Sequence, residues 1–312
     1  MINFRFHLAS LVAVFLALAV GVVMGYGVLG QPTVDTLQNR IDTVEANADA
    51  RRRDNDELRA ALDRADEAIE ESSPFAVTDR LTNVPATVLA VRGVDEDAVA
   101  RTVTLARRAG ATAPGIVWLE DRWALPERDD VQTLADALGL SAEGRRAALR
   151  SDAWDTLTAR LADGPPSTGP DPLRALQEAG FVTLAGVDSD APAADRIGGA
   201  GTRAVLITGT GAAVPSRLVV APVARAAVDH GIALVAAEVF PDDTQGAGRG
   251  DALVAVRSDD ALTDVVSTVD DLERTEGAVA TVLALADLGR GVVGDYGIGE
   301  GAERQLPEWW QA

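Results

Sequence analysis

Hydrophobic and polar positions divide this chain into three stretches, and the first is the most apolar. Residues 8–29 form a run of 22 residues without a formal charge, and a helix that crosses a bilayer needs about 20. Small residues recur at every fourth position, which places them on one helix face where two backbones can approach closely in lipid. The run therefore predicts a transmembrane helix within residues 1–31. Its predicted pairing face consists of Ala13, Ala17, Gly21 and Gly25, preceded by Ala9. Glycine and alanine are also common in membrane helices generally, so a helix without a pairing role stays open.

A heptad pattern follows in residues 32–73. Nine of its twelve a and d positions are apolar, which is typical of a left-handed coiled coil. An Asn at an a position fixes register and favours two strands. The alternative is a single amphipathic helix lying on its own domain, but such a helix usually has a wider apolar stripe. The predicted seam comprises Val34, Leu37, Ile41, Val44, Ala48, Arg51, Asn55, Leu58, Leu62, Ala65, Ile69 and Ser72.

The apolar run is predicted to be an uncleaved anchor. It exceeds the 7–15 residues of a signal-peptide core, and no A-x-A site closes it. Arg5 precedes the run, whereas the next positive charge, Arg40, lies well beyond it near Asp35 and Asp42. The positive-inside bias then places the N-terminus in the cytoplasm and the remaining chain outside. We accordingly expect a single-pass protein of the cell membrane with an extracytoplasmic C-terminal domain.

The third stretch, residues 74–312, predicts an α/β domain. Pro74 is expected to end the coil helix. Continuous apolar runs that alternate with helical patterns predict a mostly parallel, helix-covered sheet. Six runs are predicted as strands of one sheet, and the alternative is two lobes joined by the Gly/Pro-rich linker 164–170. The predicted strands are 86–93, 115–121, 181–187, 203–209, 232–239 and 251–257, and the predicted helices are 95–110, 129–138, 141–163, 173–178, 215–230 and 278–288.

Composition excludes several function classes. The chain has a net charge of −20, which repels nucleic acid and anionic lipid from the globular part. All 28 basic residues are arginine, so neither a P-loop nor lysine catalysis is available. The chain has no cysteine, and therefore no disulfide, thiolate nucleophile or zinc–sulfur site.

Candidate chemistry is sparse. Gly209 and Gly211 follow a predicted strand, with Glu238 ending the next one, as in a dinucleotide fingerprint. The third glycine is replaced by Val214, so an ordinary turn is the favoured interpretation. The acid pairs 242–243 and 259–260 are expected to be solvated loops rather than a divalent-cation site. His7 flanks the membrane run, and His230 ends a predicted helix. We predict neither an enzyme nor a bound cofactor.

Two C-terminal features have no assignment from pattern alone. The stretch 289–299 carries a glycine every two to three residues, which indicates either flexibility or close backbone packing. Trp309 and Trp310 form an aromatic pair suited to an interface.

The chain resembles the actinobacterial copper-transport protein family of the mycobacterial MctB type. The resemblance rests on the segment from Phe4 to Gly25, on the coil, and on the blocks 267–271, 281–285 and 294–299. It implies a role in copper homeostasis at the cell envelope, as a channel or efflux component. Because these blocks include both ends, the resemblance covers the whole chain.

The few side chains that could bind copper limit the role in copper homeostasis that this resemblance implies. Cu(I) prefers thiolates and thioethers, and Cu(II) prefers imidazole, whereas the chain has two histidines, two methionines and no cysteine. We therefore expect copper to be handled weakly or indirectly, and the metal ligands stay unknown. A single span cannot form a pore alone, and these continuous strands do not match an outer-membrane barrel. The alternative function is a structural or scaffolding envelope protein, dimeric through its coil. The predicted partners are the membrane and a second copy of the chain, and not nucleic acid.

Overall fold

The computed structural model describes residues 4–28, 31–186, 194–241 and 248–308. Its N-terminal part consists of two long helices, α1 (Phe4–Val28) and α2 (Gln31–Val77). By length and composition, Phe4–Gly25 of α1 is apolar enough to cross a membrane. The predicted apolar helix is thus confirmed. The side chain of Val34 lies outside the described set.

The prediction that Pro74 ends the coil helix is wrong, because α2 continues to Val77. Proline cannot donate a backbone hydrogen bond to the carbonyl four residues earlier. Here the Ser73 hydroxyl donates to that carbonyl, Glu70 O, at 2.9 Å. Val77 and Leu81 are fully buried in the core of the following domain. The packing of this last turn therefore offsets the cost of the proline.

A seven-stranded sheet forms the centre of the remaining chain. The elements of this part are β1 (Pro85–Val91), α3 (Glu96–Arg108), β2 (Thr112–Leu119), α4 (Arg128–Leu138), α5 (Arg146–Asp163), α6 (Pro172–Glu178), β3 (Val182–Ala185), β4 (Arg203–Gly209), α7 (Val220–Asp229), β5 (Ala233–Val239), α8 (Val254–Arg257), β6 (Val266–Val269), α9 (Thr275–Leu288) and β7 (Asp295–Tyr296).

The strand order is β3-β2-β1-β4-β5-β6-β7, and every neighbouring pair is parallel except β2–β3. Strands from both sides of segment 164–170 belong to this one sheet. The predicted fold class, a mostly parallel sheet covered by helices, is confirmed. The strand order reverses direction between β1 and β4, which in open α/β sheets is the usual position of a ligand crevice.

Helices cover both faces of the sheet because alternate strand residues point in opposite directions. On one face, Leu89, Leu206 and Leu234 pack into a core with α4, α5, α6 and α7. On the other face, Val88, Val205 and their neighbours pack with α3 and α9. Both faces are buried, which explains why the strands are continuous apolar runs rather than alternating ones.

The predicted strand at 251–257 is wrong. Residues 254–257 form the short helix α8. In α8 and its N-cap, Leu253 and Val256 are buried whereas Val254 is exposed. A burial spacing of three residues is helical, and a short apolar run cannot distinguish the two structures by periodicity. Two strands, β6 and β7, were not predicted. Ser267 and Thr268 in β6 are polar, yet both are fully buried.

Candidate functional site

The densest polar cluster of the domain lies at the carboxyl ends of β5, β6 and β7. Its centre is Asp270, which directly follows β6 and is fully buried. The Asp270 carboxylate accepts hydrogen bonds from the backbone N–H groups of Ile298 and Gly299, each at 2.9 Å, and from Arg257 Nη2 at 2.9 Å. We call these residues, with Arg249, Glu273 and Thr268, the Asp270 network.

The glycine-rich segment 294–299 wraps around this carboxylate. Gly297 has a φ of +121°, and a Cβ on it would overlap the Asp270 carboxylate. A Cβ on Gly299 would lie 2.9 Å from the backbone oxygen of Arg249. Of the two interpretations of this segment, close backbone packing is therefore the observed one. The glycines are needed because the main chain itself supplies the donors to Asp270.

Two arginines complete the network. Arg257 donates to Thr268 Oγ1 at 2.8 Å and also pairs with Asp270, so it bridges α8 and β6. Arg249 pairs with Glu273 at 2.5 Å and donates to the backbone oxygen of Asp270 at 2.9 Å. Buried charges are tolerated when they are paired and hydrogen-bonded in this way.

Two further carboxyl groups lie beside the network, and both have a raised pKa. Burial raises the pKa of Glu238 to about 7, although its carboxylate accepts the N–H groups of Gly250 and Ala252. Burial, followed by the charges of Asp270 and Glu273, raises the pKa of Asp271 to about 7. Neither side-chain oxygen of Asp271 has a hydrogen-bond partner among the described residues. The surroundings of the network thus favour the protonated form of Glu238 and of Asp271.

The carboxylates of Asp270 and Glu238 face arginine or backbone N–H donors. Over the described ranges, no group of three or more His, Cys, Asp or Glu residues has the geometry to hold a metal ion. Sequence reasoning missed Arg249 and Arg257 as members of the network. The available signal was the pair Asp270–Asp271 after a short strand, followed by the glycine spacing of 294–299.

In the turn that resembles a dinucleotide fingerprint, the two glycines lie close against protein backbone. A Cβ on Gly209 would overlap Val239 O, and one on Gly211 would overlap Gly93 O. Ala213 N donates to Arg92 O at 2.7 Å, which joins the segments that follow β4 and β1. The favoured interpretation as an ordinary turn therefore agrees with the structure, in which these glycines serve the packing of neighbouring strand ends.

The other polar candidates lie apart from the Asp270 network. His230 Nε2 is 2.8 Å from Asp155 Oδ1 at the end of α7, and His7 lies in the apolar helix α1. Asp259, of the acid pair 259–260, forms an ion pair with Arg225 at 2.5 Å. Acid pair 242–243 and the tryptophans at 309–310 fall outside the described residues.

The predicted pairing residues lie on exposed faces of α1 and α2. Ala13, Ala17, Gly21 and Gly25 are exposed, and a Cβ on either glycine would meet open space. On α2, Ala48 and Ile69 are partly buried, whereas the remaining seam residues with described side chains are exposed. The exposed seam residues include Leu37, Ile41, Val44, Asn55, Leu58 and Leu62.

Comparison with known proteins gives one consistent result. A family model described as "Copper transport outer membrane protein, MctB" matches residues 1–307. Copper transporter MctB of Mycobacterium tuberculosis (strain H37Rv) is 28% identical over 319 residues, which cover 97% of this chain and 98% of that protein. Copper transporter MctB of Mycobacterium leprae (strain TN) is 27% identical over 324 residues, with the same coverage.

Proposed function

Since the chain belongs to the MctB family of copper transport proteins, we propose that it acts in copper transport or homeostasis at the cell envelope. The observation that supports this proposal best is the family match over residues 1–307, which includes the apolar helix, the heptad region and the α/β domain. A shared α/β fold alone would not indicate a function. A match over nearly the whole chain relates all three parts to proteins that are named copper transporters.

In this proposal α1 anchors the protein in the membrane as a single span. Its length and hydropathy suit that role, and Arg5 ahead of the span favours a cytoplasmic N-terminus. The α/β domain then lies outside the cytoplasm. The domain organisation that follows is an anchor in 1–31, a coil in 32–73 and the α/β domain in 74–312.

We further propose that α2 pairs with a second copy of itself as a parallel coiled coil. Leu37, Ile41 and Val44 expose 52–65% of their surface in the single chain, as do Leu58 and Leu62 at 62–63%. A heptad seam of this kind is usually covered by another helix. The small-residue face of α1 supports the same arrangement, because its glycines leave room for a neighbouring backbone.

Copper is the cargo in this proposal, and the domain acts on it indirectly or through weak carboxylate contacts in the assembled oligomer. Carboxylate oxygens are hard ligands with little preference for Cu(I). No enzymatic step is proposed. A structural role remains the alternative, in which the dimer holds its α/β domain outside the membrane for a partner and transports nothing itself.

Growth of a deletion strain under copper stress tests the proposal. We expect deletion to cause copper sensitivity, with little change under zinc stress, and the full chain to restore growth. Complementation by Asp270→Ala should fail, because it removes the nearer carboxylate partner of the buried Arg257 side chain and leaves only Asp295, at 3.6 Å. The exposed Asp260→Ala is the matched control and should complement. A deletion strain with normal copper tolerance but a leaky envelope would contradict the copper role and support the scaffold.

A further inference from the structure

A groove of about 400 Å³ lies between α5 and α7, on the face of the sheet away from α9. Three arginines line it, namely Arg150, Arg217 and Arg225. Its apolar wall includes Trp154, Leu218 and Pro222. Such a combination of apolar surface with a few convergent polar groups is typical of small-molecule sites. The groove is separate from the Asp270 network.

Arg150 is the unusual member of this lining. Only 7% of its surface is exposed, and its guanidinium donates to two backbone carbonyls, Trp123 O at 2.8 Å and Ala124 O at 3.0 Å. In the described part of the chain, no carboxylate lies within ion-pair distance of it. Burial, and then the nearby charge of Arg146, lower its pKa.

The other buried arginine of the described residues shows what a paired site looks like. Arg160 forms two hydrogen bonds with the carboxylate of Asp171, at 2.6 and 2.9 Å. A buried charge costs free energy unless an opposite charge compensates it. Arg150 has only carbonyl dipoles for this purpose, so its charge is available to an anion that enters the groove.

A second cation at the groove is also available. Arg217 is exposed on the turn Ser216–Leu218, and no carboxylate or carbonyl of the described residues accepts from its side chain. Arg225 is already paired with Asp259. The guanidinium groups of Arg150 and Arg217 are therefore the two that can recognise an oxyanion. Arg150 donates through Nε and Nη2 to the two carbonyls, which leaves Nη1 as its donor for a ligand, whereas Arg217 offers its planar, paired N–H donors.

Two acids limit the kind of anion that fits. Asp155 and Asp229 also line the groove, and Asp155 is hydrogen-bonded to His230. Their charges repel a ligand with several negative groups. The volume and the apolar wall favour a small organic body rather than an inorganic ion.

We propose that this groove is a binding site for a small organic monocarboxylate, whose carboxylate pairs with Arg150 and Arg217 and whose apolar part packs against Trp154 and Pro222. The site is independent of the copper role. The net charge of −20 makes the arginine lining a local exception to the character of the chain.

Calorimetric titration of the full chain in a neutral detergent at low salt tests this site, with benzoate as the probe. We expect saturable binding with a Kd in the millimolar range or tighter, and at least about tenfold weaker binding of the neutral isostere benzamide. Arg217→Gln should weaken benzoate binding about tenfold, the effect of one charge-assisted hydrogen bond. The exposed Arg128→Gln, outside the lining, is the matched control and should bind normally.

Arg150→Met tests the buried charge, with circular dichroism as a check on folding. If this variant unfolds, Arg217→Gln still decides the proposal because its side chain is exposed. Absence of saturation by benzoate, or equal affinity for benzamide, would overturn it. Tighter binding of phenyl phosphate, or of vesicles containing an anionic phospholipid, would overturn the carboxylate assignment in favour of a phosphate group.

Discussion

Asp271 and Glu238 are carboxyl groups whose burial makes stability depend on pH. The pKa of each is raised to about 7 in the folded chain, whereas in an unfolded chain such groups titrate near pH 4. Between these values the folded state binds more protons, so stability falls as the pH rises. The contribution is fully present below about pH 4 and is lost as the pH passes 7. Acids whose pKa is lowered, such as Asp171, change the stability of the protein only at lower pH.

Replacing Asp271 with Asn should therefore stabilise the protein at pH 8. The amide keeps the shape of the side chain and removes a charge that has no hydrogen-bond partner among the described residues. We expect a gain of about 2 kcal/mol at pH 8, or roughly 4–8 °C in Tm, and almost none at pH 5. Thermal unfolding at both values measures this. The exposed Asp260→Asn is the control, and an equal gain at the two pH values would contradict the pKa argument.

For individual residues, the position of a candidate side chain in the fold can be predicted from the sequence more successfully than its hydrogen-bond partners. Glu238 was correctly placed at the end of a strand, but its carboxylate accepts from Gly250 and Ala252 rather than from a ribose. These two hydrogen bonds link Glu238 to residues that lie 12 and 14 positions later in the chain. The path of the loop between them cannot be predicted from hydrophobic periodicity. The apolar pattern predicts Arg257 on a strand, and a residue at that position would not be expected to pair with Asp270.

At the scale of elements, the glycine-rich segment is a main-chain ligand for Asp270. Gly297→Ala should destabilise the protein by about 2–3 kcal/mol, because the new Cβ would overlap the Asp270 carboxylate at a positive φ. Gly291→Ala is the matched control, since Gly291 also has a positive φ, +74°, but open space around its Cβ. It should cost only about 1 kcal/mol. Chemical denaturation compares the two, and equal losses would mean that backbone strain alone explains the effect.

The pairing of α2 is the second prediction for an element. Leu58→Lys with Leu62→Lys places two charges in the proposed seam and should convert the proposed dimer into a monomer in sedimentation experiments. The control is Ala46→Lys with Ala60→Lys, which adds the same charge at exposed positions opposite the seam. Gly21→Ile with Gly25→Ile should weaken association less. A wild-type chain that sediments as a monomer at micromolar concentration would refute the pairing.

Most elements of the sheet could be predicted because strands buried on both faces form long apolar runs. β4 and β5 are apolar runs of this kind, and both lie inside the sheet. The short strands β6 and β7 escaped prediction because hydrogen bonds, such as that from Thr268 to Asp295 at 2.5 Å, satisfy their polar side chains. The antiparallel direction of β3 also depends on a sheet neighbour that the local pattern does not reveal.

For the whole molecule, the orientation across the membrane is a direct prediction. Protease added to intact spheroplasts should remove the chain beyond about residue 73 and leave the anchor, because the positive charge ahead of α1 favours a cytoplasmic N-terminus. A cytoplasmic protein of the same cells is the control for intactness. A C-terminal domain that is degraded only after lysis would reverse the topology and with it the set of possible partners.

The side chains that could act as metal ligands predict how tightly the whole chain binds Cu(I). With two methionines, two histidines and no cysteine, the full chain in detergent should retain no stoichiometric Cu(I) against a high-affinity chelator. Dithiothreitol, a small dithiol, is the positive control for Cu(I) retention, because thiolates are ligands that Cu(I) prefers. If the wild-type chain competes with the chelator for Cu(I) as this dithiol does, it contains a site that its ligands do not indicate. If it releases copper while its deletion makes cells copper-sensitive, its role in copper homeostasis is that of an envelope accessory and not of a metal carrier.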